Sequence, residues 1–174
     1  MARPREKYWY ALKVFFNRVE MLREVFKASR YETFVPMLLE RPDGGGKPVE
    51  KPAVPSLLFV KCSEQFLTDL KHDRWDVFMC YPDTEGHPGK ISDHDMEVFM
   101  KATSAPLQGG EFLGSDTQNY MVGEKVRVKE GVYKGYEGYI KRIKHDRKLL
   151  VCLEGIAVIA FSNIKMENVE KIDI

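Results

Sequence analysis

The residues able to do chemistry are few. His72, His87, His94 and His145, with Asp69, Asp73, Asp93 and Asp95, could supply acid/base pairs, and Asp93-His94-Asp95 invites a metal ion. Asp93 and Asp95, however, open a predicted helix, where acidic residues are favoured by the helix dipole and by capping alone. No nucleophile elbow, phosphate loop or metal-spaced histidine pair accompanies them. Cys62, Cys80 and Cys152 form no CxxC pair and have no histidine pair at ligand spacing, so they are expected to be free thiols, small and buried in a reducing compartment. These absences argue against an enzyme and lead us to expect neither metal nor cofactor.

Charge is the next resource. The chain carries 27 Lys and Arg against 26 Asp and Glu, net +1, which excludes a globally basic nucleic-acid coat and leaves only local patches. Arg23, Lys27 and Arg30 line one side of a predicted helix, with the ordinary solvated edge as the plain alternative. No signal-type stretch follows the charged start, and no window reaches the roughly 18 apolar residues of a membrane span, so a soluble, cytoplasmic, monomeric protein is expected.

The elements that must position these residues fall in two groups. Residues 9–15, aromatic and β-branched, read as a first strand, and Val19, Leu22, Val25 and Phe26 recur at helical spacing behind Asn17, a predicted N-cap. Residues 33–39 read as a strand that Pro36 pushes to an edge or bulge, and residues 41–48, with three glycines and two prolines, as a long hairpin tip. Residues 55–62 form a near-continuous apolar strand, which implies that both faces are covered. A helix at 64–71, a strand at 75–81 and a helix capped by Ser92 or Asp93, with Met96, Phe99 and Met100 inward, complete an antiparallel sheet flanked by helices. Residues 105–119, rich in Gly, Pro and Ser, read as a linker. Thereafter short apolar runs separated by turns predict five strands and no helix. The expected layout is α+β: a domain at 1–104, a linker at 105–119 and a small β-barrel at 120–174.

One segment is specific. Gly123-Glu124-Lys125-Val126-Arg127-Val128-Lys129-Glu130-Gly131-Val132-Tyr133-Lys134-Gly135-Tyr136-Glu137-Gly138-Tyr139-Ile140 resembles the KOW motif, with valines alternating into a core and glycines at 131, 135 and 138 allowing positive φ or close backbone approach. Ribosomal proteins share that motif and use it to bind RNA. The N-terminal half separates the two: Trp9-Tyr10-Ala11-Leu12, Phe34-Val35-Pro36, Pro55 before Leu58-Phe59-Val60, and Ile91-Ser92-Asp93 resemble the N-terminal domain of the NusG family in order, so that the resemblance spans residues 8–172. A ribosome-associated KOW protein would need a basic face, and residues 119–174 hold only 11 Lys and Arg against 8 Asp and Glu.

The resemblance implies a transcription elongation factor whose N-terminal domain docks on the clamp helices of the RNA polymerase large subunit, and whose C-terminal domain, an SH3-like barrel, recruits partners. The polymerase surface would comprise Lys13, Val54, Pro55, Leu57 and Phe59, although ordinary core is the alternative for Leu57 and Phe59, on the expectation that the two do not share one side of the strand. Val54-Pro55-Ser56-Leu57 stands where the general housekeeping factor has Phe-Pro-Gly-Tyr. That departure resembles the specialised UpxY-type antiterminators of Bacteroides relatives, which act on capsular polysaccharide operons. Leu153-Glu154-Gly155-Ile156 replaces the Ile-Phe-Gly-Arg loop that serves the Rho terminator and a ribosomal protein, removing an aromatic and a cation, the types that dominate interface energy. Tyr133 and Tyr136, with Leu153 and Ile156, are the expected partner residues there, half-packed turn residues being the alternative for the tyrosines. By analogy with related antiterminators, Arg18, Arg23, Lys27, His72 and Arg74 would contact the non-template DNA strand.

Overall fold

The structure, a computed structural model, describes residues 5–103 and 110–173. In chain order its elements are β1 (Tyr8–Val14), α1 (Val19–Ala28), β2 (Glu32–Phe34), β3 (Met37–Glu40), β4 (Val49–Pro52), β5 (Leu57–Cys62), α2 (Glu64–Asp73), β6 (Phe78–Cys80), α3 (Asp93–Thr103), β7 (Glu111–Gly114), β8 (Lys125–Val128), β9 (Glu137–Ile143), β10 (Asp146–Leu153), β11 (Ala157–Phe161) and β12 (Val169–Lys171). They form a four-stranded sheet of order β2-β5-β1-β6, the two-stranded hairpin β3-β4, and a six-stranded sheet of order β12-β8-β9-β10-β11-β7. All the pairings are antiparallel. The chain divides into two compact units, Met1–Pro36 with Val54–Met96, and Met37–Ala53 with Glu97–Ile174.

In the first unit one sheet face carries Tyr10, Leu12, Val14, Leu58, Val60 and Cys62, and α1 and α2 bury Leu22, Phe26, Leu67 and Leu70 against it. Each such side chain contributes about 1.5–3 kcal/mol by leaving water. α1 begins one residue later than an Asn17 cap predicts: Asn17 sits in left-handed geometry at φ 55°, and Arg18 occupies the cap position without a side-chain bond. α2 is capped by Ser63, the Phe66 amide donating to Ser63 Oγ at 3.2 Å. At the start of α3 the Asp95 amide donates to Ser92 Oγ at 3.0 Å.

Pro36 does more than loosen a strand. It separates β2, at the edge of the first sheet, from β3, which pairs instead with β4 and closes the hairpin through residues 41–48. The strand expected at 75–81 shrinks to Phe78–Cys80, because Arg74, Trp75 and Asp76 form the turn that leaves α2.

The second unit departs from the predicted layout. Residues 120–174 carry the five strands expected, β8 to β12, and the sheet gains a sixth, β7, which comes from the segment read as a linker and pairs along β11. Residues 104–109 of that segment lie outside the described residues. Gly and Ser richness misled here because a short edge strand needs little side-chain packing. Gly138 is required by close approach, since a Cβ there would collide with the Leu150 carbonyl oxygen across the strand pair. Gly135 is required by its φ of 87°.

Candidate functional site

Three of the five residues expected on the polymerase surface meet on the sheet face opposite α1 and α2. Lys13 pairs with Leu57, and Ala11 with Phe59, so Leu57 and Phe59 point the same way, as residues two apart in a strand must. The expectation that they diverge is corrected. Both are sealed, at 1% and 0% exposure, with the Phe34 ring 6.2 Å from Phe59. β5 is flanked by β1 and β2, and its unbroken apolar run is what a strand covered on both faces needs. Leu57 and Phe59 are therefore interior residues in this structure.

The open part of that face lies beside them. Lys13 is exposed and pairs on its other side with Met79, which is 47% exposed. Pro55 is exposed and Val54 half-buried, and their turn is held to β1 by the Val14 amide donating to Ser56 O at 2.7 Å. Met79 was missed because its side was set by register with β1, which no local pattern reveals.

A second surface forms where the β1–α1 turn meets the α2–β6 turn. The Phe15 amide donates to Val77 O at 2.8 Å, and Arg18 pairs with Asp76 at 4.0 Å. Two large aromatics project here, Phe16 at 76% and Trp75 at 74% exposure. Phe16 and Asn17 are both left-handed, φ 57° and 55°, a conformation that costs a bulky residue about 1–3 kcal/mol and so presents the ring outward at a price in stability. The Arg18 guanidinium lies 5.6 Å from the Phe16 ring centroid. Arg74 Nη1 rests 3.3 Å from Met21 Sδ, and Lys71 Nζ donates to the carbonyls of Trp75 and Phe78. His72 is exposed beside them. Arg23 is engaged by Glu20 at 3.0 Å, and Lys27 is exposed one helical turn further along. Of the five residues expected to meet DNA, Arg18 and Arg74 stand on the two turns that meet and His72 lies near the end of α2, while Arg23 and Lys27 continue along α1. Phe16 and Trp75 were missed, although an aromatic amid charges, as in His72-Asp73-Arg74-Trp75-Asp76, is a usable signal.

The residues expected to recruit a partner in the second unit are largely buried. Tyr133, Tyr136, Leu153 and Ile156 are 9%, 2%, 4% and 8% exposed. Tyr133, Tyr136 and Phe161 pack their rings 5.2–5.5 Å apart, and the Tyr136 hydroxyl donates to Lys101 O at 3.1 Å. The Leu153 to Ile156 turn is tied down by the Gly155 amide donating to Thr117 Oγ1 at 2.7 Å, with Thr117 itself buried. Large apolar side chains exposed in this unit include Val122, Val132 and Met166, and Val132, 69% exposed, stands beside a cleft lined by Tyr133, Ile164 and Asn168.

His72, His87, His94 and His145 fall on α2, the 81–90 loop, α3 and the β9–β10 turn, and no group of three His, Cys, Asp or Glu among the described residues could hold a metal. Burial pushes the thiols of Cys62, Cys80 and Cys152 up to about 12, leaving them protonated and poorly nucleophilic near neutrality. No helix among the described residues is long and apolar enough to cross a membrane.

Against known proteins, residues 7–100 match the family model described as transcription termination factor NusG. A solved structure of Thermotoga maritima NusG, described as concerning domain interaction, is similar at 19% identity and a TM-score of 0.43, over 97% of this chain and 98% of that one. No curated protein sequence matches.

Proposed function

Because the chain belongs to the NusG family of transcription factors, we propose that it is an elongation and antitermination factor that docks on the clamp helices of the RNA polymerase large subunit and suppresses pausing or termination. The observation that carries this reading is the family match over the whole first unit's sheet together with an exposed Lys13, Met79, Pro55 edge on the face that the resemblance assigns to polymerase. An apolar thioether and a proline beside one cation suit the side of an amphipathic helix pair with acidic flanks.

The Phe16 and Trp75 rings, with Arg18, Arg74 and His72 around them, support contact with the non-template DNA strand: exposed aromatics stack on unpaired bases while the cations meet phosphate. Such contact would let the factor act at chosen operons, capsular polysaccharide synthesis being the reading that Val54-Pro55-Ser56-Leu57 supports. The second unit, as a KOW domain, recruits a further partner over Val132 and its neighbouring cleft. A ribosomal protein or Rho is a candidate for that surface, to which Tyr133 contributes while Tyr136 is packed inside.

The test is co-purification with RNA polymerase. Lys13→Glu combined with Met79→Asp alters exposed side chains, so the thermal melt should hold while recovered polymerase falls about tenfold, a loss of roughly 1.4 kcal/mol. Undiminished recovery would sink the docking surface. Genome-wide occupancy separates the specialised factor, found at one or a few loci, from the general one, found on every transcribed gene.

A further inference from the structure

The densest charge in the chain lies on neither the polymerase face nor the aromatic surface of the first unit. Residues 141–148 read Lys141-Arg142-Ile143-Lys144-His145-Asp146-Arg147-Lys148, five cations and one carboxylate, or +4 with histidine neutral. The whole chain carries +1, so everything outside these eight residues is net −3. The modest excess of base in the C-terminal region is thus gathered in a single hairpin.

Register isolates that hairpin. β8 pairs with β9 only as far as Tyr139, and β11 pairs with β10 only from Leu149 onward. Lys141 with Lys148, Arg142 with Arg147 and Ile143 with Asp146 pair with each other. A two-stranded ribbon therefore runs beyond the sheet, closed by Lys144 and His145 in left-handed turn geometry at φ 49° and 74°.

Its two faces differ. On one, Ile143 joins the cluster of Leu150 and Tyr120, Lys141 donates to Asn119 O at 2.7 Å, and Lys148 reaches Glu111 at 3.3 Å. On the other, Arg142 and Arg147 stand opposite one another, both exposed. Among the described residues, neither arginine nor Lys144 has an acidic partner. Like charges directly across a strand pair destabilise it, and a bound anion would relieve that repulsion.

We propose that the arginine face of this ribbon docks on duplex DNA through the phosphate backbone, without sequence preference. A guanidinium matches phosphate oxygens with two parallel hydrogen bonds, and paired arginines offer two such forks side by side. A two-stranded ribbon fits the B-DNA major groove, about 12 Å wide, whereas the A-form RNA major groove is too deep and narrow to admit it. Single strands are held largely by stacking, and residues 141–148 contain no Phe, Tyr or Trp.

Fluorescence anisotropy of the full chain with a duplex of about 30 base pairs and arbitrary sequence, titrated across roughly 50 to 200 mM salt, tests the docking. Changing both arginines, R142Q with R147Q, should weaken binding about tenfold at the low-salt end and make the log-log salt slope shallower by about two, one for each phosphate that is no longer neutralised. The thermal melt should not fall, because a repulsive pair has been removed. Unchanged affinity and slope would overturn the proposal. So would tighter binding to single-stranded RNA than to the duplex, or equal displacement of the duplex by polyglutamate, which would make the ribbon a site for any acidic polymer. The experiment contains no polymerase, so its outcome and that of the co-purification are independent.

Discussion

Tyr10 buries a hydroxyl for which the described residues supply no hydrogen-bond partner. An unsatisfied buried hydroxyl costs about 1–3 kcal/mol, whereas a phenyl ring of the same shape does not. Tyr10→Phe is therefore expected to match or exceed the parent in urea denaturation, and a loss above about 1 kcal/mol would mean the oxygen is bonded. The thiols give a pH dependence. Burial raises Cys62 from 9.0 to about 12, so the folded state keeps a proton that the unfolded chain has released. The resulting stabilisation is complete below pH 9 and is lost as pH rises toward 12. Cys62→Ala should flatten the alkaline limb of stability against pH, and an unaltered limb would contradict the burial argument. Leu57, at 1% exposure, marks the limit of single-residue tests. Leu57→Asp places a lone carboxylate in the interior and should cost several kcal/mol, about 3–5, so that lost polymerase binding in that variant would report unfolding.

At the scale of elements, the meeting of the β1–α1 and α2–β6 turns decides whether the first unit has a nucleic-acid surface. Phe16 and Trp75 contribute little to the core, being mostly exposed, so Phe16→Ala with Trp75→Ala should leave the melt within a degree or two. The same pair should weaken binding of single-stranded DNA, each base left unstacked being worth about 1–3 kcal/mol. Undiminished binding by anisotropy would remove both rings from the interface. Ser63 acts at the same scale in a structural way: its cap on α2 holds Leu67 and Leu70 to the sheet, and Ser63→Ala should cost about 1 kcal/mol.

For the molecule as a whole, the boundary of the C-terminal unit is the consequential point. A fragment starting at residue 120 follows the predicted barrel but lacks β7, which covers β11, and Thr117, which holds the Gly155 turn. A fragment starting at residue 110 keeps both. The shorter piece should melt at least about 5 °C lower or fail to fold, since each kilocalorie per mole shifts a domain of this size by about 4–8 °C. Equal melting temperatures would show that β7 is an accessory to the sheet.

The sequence by itself determined the properties carried by local pattern: the helical face of Leu22 and Phe26, the Ser92 cap, the glycines at 135 and 138, and the motifs of the NusG family. Each depends on neighbours a few residues away, or on a backbone conformation that few residue types can adopt. Only the tertiary structure decided which apolar residues stay open. Leu57 and Met79 both pair with Lys13, yet one is sealed and the other exposed, because strand order, not composition, sets which face each strand presents and what lies over it. The same holds for the arginine ribbon: its charge is visible in the sequence, but its projection beyond the sheet depends on where the flanking strands stop pairing.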